Sequence, residues 1–359
     1  MALSRTLRSL YPWVSSPLIV GAPMRVMSGP ALAVAISNAG GLGLIGPNPK
    51  TQDTLSDLEE ASNLIRKAGK LASSPFHSLP SEYSLLPVGV AFVLWNDDLE
   101  IAVSAIAKYN PCAAWLYAPR DGQKDFDVWS RRIRLSSPNT QIWIQIGTVT
   151  EVRQLLQSPE RPDVIVIQGA EAGGHGRATD AMGLITLLPE VADTLRGSGI
   201  TLCAAGGIAD GRGAASALCL GASAVAMGTR FLTAEEARIS KGYQQEVVRA
   251  SDGAISTTRT LLYNQLRGTT GWPKEFIPRG IINRSWIEYQ AGTPFEELKR
   301  RHDEALKAGD SGWGPDGRLA TYAGAAVGLI HDVKPASEIV RDTREGALQT
   351  LKDSEIAVR

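Results

Sequence analysis

Eight short apolar runs, each closed by turn residues, recur along the first two thirds of the chain: Leu18–Ala22, Leu42–Gly46, Val88–Leu94, Ala113–Tyr117, Ile142–Ile146, Val164–Gln168, Leu202–Ala205 and Ala222–Met227. They are near-continuous rather than alternating, as in strands buried on both faces. Stretches with helical character separate them: Gly29–Asn38, Thr54–Ala68, Asp97–Tyr109, Asp125–Arg134, Thr150–Gln157, Leu184–Arg196 and Gly211–Leu220. Asn96-Asp97-Asp98 and the Thr-x-x-Glu at Thr148–Glu151 read as helix starts. Strand–helix alternation predicts the TIM (β/α)8 barrel in preference to an open sheet.

The pattern changes after Phe231. Residues 234–320 are charged, richer in Trp and Pro, and mostly helical by composition. They read as an insertion between the eighth strand and its closing helix, which is expected near 321–331 or 335–352. The barrel then comprises 1–233 and 321–359. An insertion that leaves from the carboxyl end of a strand is placed to cover that rim.

Composition adds exclusions. The 359 residues are 43% hydrophobic and 21% charged, ordinary for a globular protein able to bury a large core. Formal net charge is zero, so bulk charge recruits neither nucleic acid nor an anionic membrane. No apolar run reaches the length of a membrane span. Cys112, Cys203 and Cys219 form no C-x-x-C pair and read as buried thiols of a reducing compartment. No His/Asp/Glu/Cys spacing suits a metal. The N-terminus carries two arginines before the first acidic residue, Asp53, a faint presequence pattern. A strand starting near Leu18 leaves little to cleave. The expectation is an ordered helix or arm packed under the barrel, and a cytoplasmic rather than mitochondrial protein.

Four strand ends carry candidate chemistry. Gly206-Gly207 and Gly228-Thr229 follow the seventh and eighth barrel strands, where barrels hold phosphate on backbone N–H groups. The helix that starts at Ile208–Arg212 can add its dipole. His175 lies in Gly-Gly-His-Gly after the sixth strand, where an imidazole can act as base or hydrogen-bonding electrophile. Gly21-Ala22-Pro23-Met24 exposes backbone at the rim to a flat ligand. His77, His302 and His331 read as structural or solvated. Gly41-Leu42-Gly43-Leu44-Ile45-Gly46 fits G-x-G-x-x-G but contains its own strand and precedes Pro47-Asn48-Pro49, so it is a helix–strand turn and not a dinucleotide site.

Together Ala22-Pro23-Met24, the Gly40–Gly43 turn, Glu171–Gly176, Ala204–Gly211 and Met227–Phe231 resemble the nitronate monooxygenase family, over roughly residues 10–345. FMN-dependent enoyl-acyl carrier protein reductases share a similar barrel, glycine loop and histidine. The resemblance implies non-covalent FMN. Its phosphate would lie on Gly206, Gly207, Gly228 and Thr229, with Ala205 and Met227 beside them. Its ring would lie against Ala22, Pro23, Met24, Gln145, Gln168, Gly169 and Gly174, and His175 would be catalytic. Bacterial members often carry Asn in the strand that here reads Gly89-Val90-Ala91-Phe92, and Lys where Gln145 stands. Arg25 and backbone dipoles are the candidates left to stabilise a reduced flavin. Gln is frequent where Ala325-Ala326 stand.

The resemblance implies oxidation of alkyl nitronates by O2, giving an aldehyde or ketone plus nitrite. His175 would be a base for neutral nitroalkanes and a donor to nitronate oxygens. The partners are a small-molecule substrate and O2, and the protein is a monomer or homodimer. The alternatives are an NAD(P)H-dependent FMN reductase of enoyl thioesters or quinones, and an FMN-binding barrel without turnover.

Overall fold

A computed structural model describes residues 11–357; residues 1–10, the start of the expected arm, lie outside the described residues. The strands are β1 (Leu18–Gly21), β2 (Leu42–Ile45), β3 (Leu86–Val93), β4 (Pro111–Tyr117), β5 (Gln141–Ile146), β6 (Val164–Gln168), β7 (Gly174–Arg177), β8 (Thr201–Ala205) and β9 (Ala224–Met227). All but β7 join, in chain order, into a closed barrel whose last strand pairs with the first. Every barrel pairing is parallel. All eight apolar runs become these strands. Each intervening helix also forms, with its ends shifted by a few residues.

Both expected helix starts are realised. Asp98 accepts from the Ile101 amide at 3.0 Å. Thr148 Oγ1 accepts from the Glu151 amide at 3.2 Å, and Glu151 reaches back to the Gly147 amide at 3.0 Å. Gly43 shows why β2 carries a glycine within it: a Cβ there would lie 1.9 Å from the Ala33 carbonyl oxygen. The helix over residues 30–38 therefore packs directly on that strand's backbone.

The barrel interior is aromatic. Trp115 and Trp143, in register on β4 and β5, stack with ring centroids 5.9 Å apart. Below them sits the described part of the amino-terminal arm. Tyr11 and Trp13 are buried there. Trp143 Nε1 donates to the Tyr11 hydroxyl at 3.1 Å, and Trp13 Nε1 donates to the Gly41 carbonyl at 3.0 Å. An arm packed under the barrel is what residues 11–17 provide.

The segment after β9 differs from expectation in one respect. Besides its helices it forms β10 (Thr257–Arg259) and β11 (Phe276–Ile281), and these pair antiparallel. β11 also pairs antiparallel with β7, setting Pro278 opposite His175 and Ile277 opposite Gly176. The glycine loop after β6 is thus a strand of a second, three-stranded sheet. Gly-His-Gly-Arg carries no apolar run to announce a strand, because the pairing comes from a partner about a hundred residues downstream. The closing helix is Ala336–Ala357, and residues 325–329 make only a 3-10 turn.

Candidate active site

One cavity of about 770 Å³ opens at the carboxyl ends of the barrel strands. Ala22, Pro23, Met24, Gln145, Gln168, Gly174, His175, Ala205, Gly206, Gly228 and Thr229 all line it. They come from β1, β5, β6, β7, β8 and β9, so residues far apart in sequence converge on one space. Gly169, Gly207 and Met227 do not line it. Gly169 faces Glu171 and Leu184, and Gly207 faces Glu171. Met227 is fully buried and accepts the Ala22 amide on its carbonyl at 3.0 Å, locking the end of β1 to β9.

The backbone beside the cavity suits an anion. Gly206 and Gly207 have φ of 102° and 71°, conformations that side chains with a Cβ avoid. A Cβ on Gly228 would find its nearest neighbour, Met24 Sδ, at 3.7 Å, so the main chain here is bare toward the cavity. Thr229 Oγ1 accepts the Gly324 amide at 2.9 Å and keeps its own hydrogen to donate. The helix over 211–219 contributes less than expected. Asp210 already accepts the amides of Arg212 and Gly213, at 3.0 and 3.1 Å, so its first donors are taken.

Gln145 is oriented by Trp115, whose Nε1 donates to Gln145 Oε1 at 2.9 Å. The side chain's NH2 is thereby turned away from the tryptophan. Arg25 lines the cavity and has its pKa lowered, chiefly by burial.

His175 is held on every side. Its carbonyl accepts from the Tyr117 hydroxyl at 2.5 Å. Its ring stacks on Trp272, centroids 3.6 Å apart and 6° from parallel. Asn264 Nδ2 lies 2.9 Å from Nε2, and Asn264 Oδ1 accepts from the Tyr322 hydroxyl at 2.9 Å. Burial first, then the positive charges of Arg267, Arg25 and Arg259, push its pKa down to about 3. The imidazole is therefore neutral at ordinary pH. Arg259 secures the approach: its guanidinium donates to the carbonyls of Ala170, Ala172 and Ile277, and burial brings its pKa down to about 10.

Asn264, Tyr322 and Arg267 had no signal in the sequence. Trp272 stood in the Gly-Trp-Pro segment but nothing connected it with His175. Among the described residues no group of three or more metal-ligating side chains converges, and no helix is long and apolar enough to cross a membrane.

Comparison with known proteins bears on this arrangement. The family model described as nitronate monooxygenase matches residues 129–342, more than half of the chain. The chain belongs to the nitronate monooxygenase family. It is 58% identical to nitronate monooxygenase npaC of Metarhizium robertsii, over 97% of this chain and 95% of that one. It is 32% identical to a nitronate monooxygenase of Neurospora crassa, over 96% and 93%. Among solved structures, a nitroalkane oxidase from Streptomyces ansochromogenes superposes with a TM-score of 0.71 at 21% identity, covering 97% of this chain and 99% of that one, a likeness of fold. As a member of this family the chain is an oxidoreductase, and the family's enzymes are flavoenzymes.

Proposed function

We propose that the protein is an FMN-dependent monooxygenase that converts alkyl nitronates and O2 to an aldehyde or ketone plus nitrite. The observation that carries this reading is a neutral His175 sharing one rim cavity with Arg25 and Arg267. Such a site favours an anion, and its imidazole is a hydrogen-bonding group rather than a charge.

The residues present suit FMN. The bare, left-handed glycine backbone at Gly206 and Gly207, with Gly228 and Thr229, would hold the phosphate. Ala22, Pro23, Met24, Gln145, Gln168 and Gly174 would line the ring, with Gly169, Ala205 and Met227 supporting those positions from behind or beside. Arg25 would offset negative charge on the reduced ring. Bound there, the flavin supplies the electron acceptor and the route to oxygen. The protein's own contribution is binding and orientation. The arginines draw in the anionic nitronate group. His175 donates to a nitronate oxygen. Trp272 covers the imidazole and keeps water from it. The partners are the small-molecule substrate and O2, with no nucleic acid or membrane, in a cytoplasmic monomer or homodimer.

Anaerobic mixing tests the reading. Ethylnitronate should bleach the bound flavin without NAD(P)H, and air should then yield nitrite. A flavin that stays oxidised with ethylnitronate but bleaches with NADH or NADPH means a reductase. Denaturation should release FMN and not FAD.

A further inference from the structure

We propose that Asn264 is a positioning residue that fixes His175 as the Nδ1–H tautomer, making it a donor and tuning the site to nitronate anions over neutral nitroalkanes. The substrate half rests on the reading above.

The directionality of one hydrogen-bonded chain carries the assignment. Arg267 lies over the face of the Tyr322 ring, 5.3 Å from its centroid. The Tyr322 hydroxyl donates its hydrogen to Asn264 Oδ1 at 2.9 Å. With Oδ1 engaged, the amide turns its NH2 to His175 Nε2 at 2.9 Å. An NH2 can only donate, so Nε2 must offer a lone pair. The single hydrogen of the neutral imidazole is then on Nδ1.

The same chain disfavours His175 as a base. Proton uptake would place N–H on Nε2, facing the Asn264 NH2, donor against donor. The charged groups around the ring, Arg25, Arg259 and Arg267, repel an imidazolium. The other neighbours are uncharged: Trp272 on the ring face, and Tyr117 on the main-chain carbonyl. A carbon acid needs a base here, whereas a nitronate arrives deprotonated and needs a donor.

The test is ¹⁵N NMR of the holoenzyme labelled on histidine, with the His175 signal identified among four histidines by its loss in His175→Asn. The wild type should show protonated Nδ1 and bare Nε2. Asn264→Asp supplies an acceptor, so the hydrogen should move to Nε2. The kcat/KM ratio of nitroethane to ethylnitronate should then rise by about a hundredfold, the low side of general-base effects. Tyr322→Phe loses one oxygen and frees the amide to turn, so the Nε2–H form should appear even if Asn264→Asp fails to fold. A wild-type signal from Nε2–H overturns the proposal, as does an unchanged tautomer in both variants. If the wild type shows Nδ1–H but ignores ethylnitronate, the nitronate reading falls, the substrate half falls with it, and the tautomer assignment stands.

Discussion

At the scale of single residues, small changes at the cavity wall separate folding from binding. Gly228 has ordinary backbone angles and open space toward Met24, so Gly228→Asp should fold with a near-normal melting temperature. Its carboxylate would oppose the phosphate, and the purified variant should be colourless. A yellow variant with full FMN would place the phosphate elsewhere. His175 makes a pH-dependent prediction. Unfolded histidine titrates near ~6.5, whereas the buried ring is held to about 3, so the unfolded chain takes the proton first. The stability gained by burying it neutral is complete above pH ~6.5 and is lost progressively as pH falls toward about 3. The slope is at most about 1.4 kcal/mol per pH unit. Thermal scans of wild type and His175→Asn at pH 7 and pH 4.5 should show the wild type losing more on acidification; equal losses would contradict a depressed pKa. Trp272→Ala removes the stacked ring and should raise KM for ethylnitronate roughly tenfold, of the order of 1.4 kcal/mol, with FMN content unchanged.

At the scale of elements, the closing helix is a sensitive joint. A Cβ on Gly211 would lie 2.3 Å from the Gly346 carbonyl carbon and 2.4 Å from the Ala347 nitrogen, both backbone atoms. Gly211→Ala should therefore cost about 1–3 kcal/mol by forcing the two helices apart, read as a lower denaturation midpoint with the flavin site intact. The barrel itself was legible because each buried strand needs a continuous apolar run and each helix start needs a local cap. The place of Gly206 and Gly228 on the cavity wall was legible because each directly follows a barrel strand at its carboxyl end. The second sheet was not. β7 is strand only by virtue of β11, and Gly-His-Gly-Arg has no pattern of its own. For the same reason Asn264, Tyr322 and Trp272 were invisible as neighbours of His175, since a long-range approach leaves no spacing to read. Asp210 shows the converse: its capping of Arg212 and Gly213 was locally readable, and it removes donors that a general rule would have assigned to a ligand.

At the scale of the whole molecule, a chain of zero formal charge directs Arg25 and Arg267 into one cavity. Association of an anion should weaken as salt screens those charges, over a Debye length of about 10 Å at 0.1 M. Between 20 and 300 mM NaCl, kcat/KM for ethylnitronate should fall several-fold, and a salt-independent value would show that the arginines do not steer the substrate. The plug beneath the barrel bears on how the chain is made. Tyr11 leaves the ribosome well before the tryptophan that donates to it, which follows 132 positions later. At ~5–20 residues per second this is a wait of several seconds or more. During it, Tyr11 and Trp13 are exposed in the nascent chain. Stalled chains that end before residue 143 should be cleaved by chymotrypsin at those two positions, and longer ones should become resistant once β5 has cleared the exit tunnel.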